Sequence, residues 1–144
     1  MNNVRDFIQL NMNFLNDIQS YHWQTESFSE HESTGEYYEK FSKLNDEFVE
    51  TWQGKTGTRI NFSAELRPGI MNYADNSQVR GEVQKQVTRI TKSADNSKVK
   101  GQMDLESILE DMLMVTNQLM FHLTLKYCLH THLQIQKLVK NLPR

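Results

Sequence analysis

One cysteine, two prolines and six glycines are few for a chain of 144 residues. The lone Cys128 has no internal disulfide partner, so the expected setting is a reducing cytoplasm. Scarce proline and glycine exclude collagen-like, low-complexity and turn-rich all-β chains. There is no excess of positive charge either: 16 Lys and Arg stand against 18 Asp and Glu, a formal net charge of −2, which removes the field that holds nucleic acid without sequence preference. No membrane-spanning run is present. The most apolar stretch, Met112 to Leu129, is broken by Thr116, Asn117, Gln118, His122 and Lys126, well short of about 20 consecutive apolar residues. Met1 opens directly into a polar segment without the pattern of a secretory leader. What remains is 38% apolar and 24% charged residues, the composition of one helical domain over residues 1–144 with a single core.

Periodicity supplies the helices. Val4, Phe7, Ile8, Phe14, Leu15 and Ile18 repeat at three and four residues and predict a first helix from Val4 to Trp23. After a break at Ser27 to Ser29, Tyr37, Phe41, Leu44 and Phe48 share a face of a second helix that ends at Gly54 and Gly57. The pattern is lost from Lys55 to Asn76, which reads as a long connection with room for one short helix. Val79, Val83, Val87 and Ile90 give a short third helix. A fourth is expected from an Asp104 N-cap to Leu142. Ala74 to Gly81 is echoed by Ala94 to Gly101, and the shared Asp-Asn-Ser triplet suits a turn or an N-cap in both places. Two short turns around one long second connection describe an all-α, ferritin-like four-helix bundle with a long B to C crossover.

The residues that carry chemistry lie on the first two helices. His22, His31, Asp46 and Glu50 are ligand types suited to Fe(II), Mn(II) or Zn(II), and the four-residue gap sets both carboxylates on one ridge. Asp46 lies about 200° around the helix from Leu44, at 100° per residue, so the carboxylates face away from their own core. On the residues alone, a solvated acidic ridge explains Asp46 and Glu50, and a hydrogen-bonded histidine near the bundle end explains His22.

Tyr21-His22-Trp23, followed by His31 and then by Asp46-Glu47-Phe48-Val49-Glu50, resembles the Dps-type miniferritins. The shortened pattern is also similar to small ferritin-like proteins encoded by phages. The resemblance implies iron as cofactor and substrate at a site shared by two subunits. Carried over by position, the resemblance implies that His22 and His31 come from one chain and Asp46 and Glu50 from its two-fold partner, with Trp23 packing beside them. It further implies Fe(II) oxidation by peroxide, without release of free hydroxyl radical, and storage of ferric mineral inside a homo-oligomer, the family's hollow dodecamer. The chain departs from that pattern at Gly35, where the family usually carries an acidic residue four positions after the second histidine. Glu32 and Glu36 are the candidate substitute ligands. The turn between His22 and His31 is also shorter than in most members. No lysine-rich tail precedes the first helix, and Lys137, Lys140 and Arg144 are too few to support nucleic-acid binding.

Other signals are weaker. Glu-x-x-His is absent, which argues against a di-iron oxygenase inside the bundle, and Glu106, Glu110 and Asp111 read as polar-face or first-turn residues. His130 and His132 point to different helix faces. His122 reads as structural. Gly54-Lys55-Thr56 lacks the earlier glycine and the strand of a phosphate-binding loop. Cys128 with His130 makes a poor nucleophile pair, and the run Met112, Met114, Met120 reads as packing. The alternative to an iron-oxidising protein is a non-catalytic ferritin-like bundle whose metal site has degenerated and which acts through its oligomer surface.

Overall fold

The structure is a computed structural model that describes residues 3–62, 72–73 and 75–125. Four helices pack together: α1 (Val4–Gln24), α2 (Phe28–Thr56), α3 (Asn76–Ala94) and α4 (Met103–Thr124). No strand occurs among the described residues. Each helix starts or stops where local chemistry dictates. The Asn3 side chain accepts the Asp6 N–H at 2.8 Å, and the Asp75 side chain accepts that of Gln78 at 3.0 Å, so both serve as N-caps. Gly57, at φ 67°, closes α2 in the left-handed conformation that a side chain disfavours, and its N–H returns to the Gln53 carbonyl.

Two expectations change at helix ends. Asp104 is not the N-cap of α4: Gln102 holds that position without a side-chain bond, and Asp104 in the first turn pairs instead with Lys55 at 2.9 Å. The fourth helix does not run unbroken to Leu142, because Leu125 turns extended and closes it after Thr124. Cys128, His130, His132 and the basic residues Lys137, Lys140 and Arg144 lie outside the described residues, as do residues 63–71 and 74 of the segment where a short helix was allowed. The repeated triplet divides its roles: Asp75 caps α3, whereas Asp95 to Ser97 form a turn in which the Asn96 side chain accepts the Lys98 N–H at 2.9 Å.

Around the bundle the helices follow the order α1, α2, α4, α3, leaving α1 diagonal to α4 and α2 diagonal to α3. Side-chain pairs fix the directions. Phe7 meets Phe48 edge-on at 5.4 Å and Asn11 donates to Asn45, so α1 and α2 are antiparallel. Gln86 donates to Asn11 at 2.8 Å, and Asn76 at the start of α3 reaches Glu30 at the start of α2. Both α2 and α3 therefore oppose α1 and run parallel to each other. Phe7, Phe14, Phe41, Phe48, Ile90 and Met112 form the heart of the core. A polar layer crosses it: Asn45, Asn11 and Gln86 are buried and joined by hydrogen bonds, and the Arg89 Nε–H donates to Gln86 at 2.7 Å while its guanidinium lies 5.7 Å from the Phe14 ring. Satisfied in this way, the amides avoid the desolvation cost of buried unpaired groups and fix the register of three helices. Among the described residues no helix is long and apolar enough to cross a membrane.

Candidate metal centre

The turn between α1 and α2 is three residues long, Thr25 to Ser27, and its shortness brings His22 onto His31. The two imidazoles stack with centroids 3.8 Å apart and planes 18° from parallel. They also exchange hydrogen bonds with each other's backbone. His22 Nδ1–H donates to the His31 carbonyl at 2.7 Å, and His31 Nδ1–H donates to the His22 carbonyl at 2.8 Å. A carbonyl oxygen only accepts, so both Nδ1 atoms carry protons, and in the neutral rings both Nε2 atoms keep their lone pairs. Metal-binding histidines are oriented in the same manner, with the second ring nitrogen bonded to a carbonyl or carboxylate.

The surrounding residues brace this corner. The Ser27 side chain accepts the Glu30 N–H at 3.4 Å, which begins the Ser-x-x-Glu pattern of a capping box. Glu30 then departs from that pattern. Its carboxylate accepts Tyr21 Oη–H at 2.6 Å, Thr25 Oγ1–H at 2.8 Å and the side-chain amide of Asn76, so one residue ties together α1, the turn and α3. Burial, followed by the bond to Glu30, pushes the Tyr21 hydroxyl up to about 12. Thr34, fully buried, bonds the Glu30 carbonyl at 2.6 Å and lies 3.3 Å from His22 Nδ1. Glu30 and Thr34 escaped the sequence reading, although the capping-box spacing from Ser27 marked Glu30 as a residue of the helix start.

The remaining candidates are elsewhere. Asp46 and Glu50 are exposed on α2, on the outward ridge expected for them. Fifteen residues separate His31 from Asp46 on one helix, a rise of about 22 Å, so a single chain cannot bring them to one ion. Glu36 pairs with Lys40 at 2.6 Å, which holds its carboxyl below the usual carboxylate range. Glu32 and Glu36 share a cleft of about 240 Å³ with Phe28 and His122, between the start of α2 and the end of α4. Trp23 is 70% exposed. Among the described residues no three His, Cys, Asp or Glu side chains gather into a metal-binding group, so Glu32 and Glu36 do not complete the histidine pair within the chain.

A family model described as a family of unknown function (DUF5856) matches residues 22–123. The chain belongs to this family. The DUF5856 match contains His22, Gly35 and the Asp46 and Glu50 ridge together. Comparisons with curated proteins and with solved structures found no match.

Proposed function

We propose that this protein is a Dps-like iron-binding protein that takes Fe(II) at sites shared between two-fold-related chains, oxidises it with peroxide and retains the product inside a cytoplasmic homo-oligomer. The observation that carries the reading is the division of α2. Two imidazoles are fixed with Nε2 free at one end, and two exposed carboxylates one turn apart lie too far along the helix to reach them. In this reading a second chain unites the halves. The ferritin-like connectivity belongs to the same reading. It is supported by α2 and α3 being parallel and diagonal, which requires the chain between them to pass from one end of the bundle to the other.

The donor set suits the chemistry. Imidazole nitrogens hold ferrous iron, and carboxylates favour the ferric product. Two ferrous ions each give one electron to a peroxide, which takes up two protons and leaves as water. The role of His22 and His31 is to hold the incoming ion, and that of Asp46 and Glu50 is to neutralise its charge.

Native mass spectrometry of protein loaded anaerobically with Fe(II) reads assembly and metal content together. The expected result is a closed homo-oligomer carrying iron. Asp46→Ala is expected to keep the assembly and helicity while losing bound iron and rapid peroxide-dependent oxidation. Unaltered iron kinetics in that variant removes the site assignment. A metal-free monomer or dimer overturns the reading in favour of a bundle that acts through its surface.

A further inference from the structure

Gly35 lies inside the 29-residue helix α2, one turn beyond His31, where glycine is a poor helix former and no positive φ calls for it. The space around it supplies the reason. A Cβ at this position would lie 2.9 Å from His22 Cε1, closer than real Cβ contacts come, and 3.3 Å from His22 Nδ1, which is tight. The His22 ring has little room to yield, because it stacks on His31 and its Nδ1–H is held by the His31 carbonyl. Close approach of a ring to backbone is one of the few uses for a glycine in a helix.

We propose that Gly35 is a positioning residue that seats the His22 imidazole on α2, so that the chain's half of the metal site is a neutral pair of imidazoles and the partner supplies all the acidic ligands. This rests on the shared-site reading above. It changes the meaning of the departure at residue 35: the missing side chain is what the histidine requires, and a carboxylate placed there displaces a ligand it was meant to join. Two carboxylates and two neutral imidazoles balance one divalent ion. The substrate class is a borderline divalent transition ion such as Fe(II), Co(II) or Zn(II) in preference to Mg(II) or Ca(II), which favour oxygen ligands throughout.

The test compares wild type, Gly35→Ala and Gly35→Asp in the assembled protein, with two independent readouts. Co(II) titration followed by visible absorption gives affinity. Deuterium exchange at the imidazole Cε1–H, read by mass spectrometry of the His22 peptide without metal, reports whether that atom is still covered by α2. Expected are slow exchange in the wild type, faster exchange in both variants, and Co(II) affinity lower by about 10- to 100-fold in both, the loss typical when support of a metal-binding histidine is removed. Tighter Co(II) binding by Gly35→Asp overturns the proposal and makes residue 35 a lost ligand. Unchanged His22 exchange in Gly35→Ala overturns it as well, whatever the metal does. If wild type binds no Co(II) while Cε1 exchange rises in the variants as expected, the shared-site reading fails and the seating of His22 stands.

Discussion

At the start of α2, His31 is fixed by a reciprocal pair of backbone hydrogen bonds and a ring stack, and Glu30 beside it joins three segments. Fifteen and nineteen residues on, Asp46 and Glu50 stand exposed on the same helix. Both places offer metal ligands, but only the first has its geometry set by the chain itself. Imidazoles need a chosen tautomer and orientation before they bind, which neighbouring carbonyls provide within one subunit. Carboxylates need only be within reach, and solvent leaves them free to turn toward an incoming chain. Variants at the two places should therefore fail differently.

The largest expected effect is at the fixed end. His31→Ala removes the stack and the bond to the His22 carbonyl, costing about 1–2 kcal/mol of folding stability together with the iron site. Chemical denaturation and Fe(II) binding measured on the same sample check both losses. Asp46→Ala, by contrast, is expected to hold stability within about 0.5 kcal/mol, as exposed substitutions generally do. Equal destabilisation by the two variants would break the comparison and give Asp46 a structural part within the single chain.

A smaller loss is expected at alkaline pH. Tyr21 is held neutral by burial and by its bond to Glu30, with its hydroxyl raised to about 12 from the ordinary value of 10.0. A folded-state value above the unfolded one contributes stability that is fully present below pH 10. It is lost as pH rises through 12, because the unfolded chain releases its proton first. After solvent screening the amount is about 1 kcal/mol. Tyr37 and Tyr73 are raised in the same direction by burial, so Tyr21→Phe isolates the part that belongs to the corner. Denaturant midpoints for wild type and Tyr21→Phe, followed from neutral pH upward, should diverge in that window, with the variant falling less.

These contrasts also show which parts of the molecule were legible in its sequence. The first two helices were, because Val4 to Ile18 and Tyr37 to Phe48 repeat at helical spacing and bury the stripe they mark. The end of α4 was not. Its apolar pattern continues past Thr124, and no glycine or proline announces the extended backbone at Leu125. Ligand types and spacing were legible too, since a gap of four residues on a helix has one geometric meaning. Gly35 was read as an absence because its value depends on a ring thirteen residues away, a relation that exists only once α1 and α2 pack. Glu30 was hidden by the same cause: its partners come from three separate segments.

The smallest effect tests how far the fixed corner depends on the beginning of its helix. Ser27 caps α2, but at 3.4 Å its bond to the Glu30 N–H is long, so Ser27→Ala should cost about 0.5 kcal/mol, at the low end for an N-cap. The histidine pair does not hang on that bond. His22 and His31 hold each other through their own carbonyls, and Glu30 is held through its side chain by Tyr21, Thr25 and Asn76. Metal affinity in Ser27→Ala should therefore match wild type while the denaturation midpoint shifts slightly. A parallel fall in both would mean that the imidazoles follow the fraying of the helix start, and the corner would then be no better prepared for an ion than the carboxylate ridge further along α2.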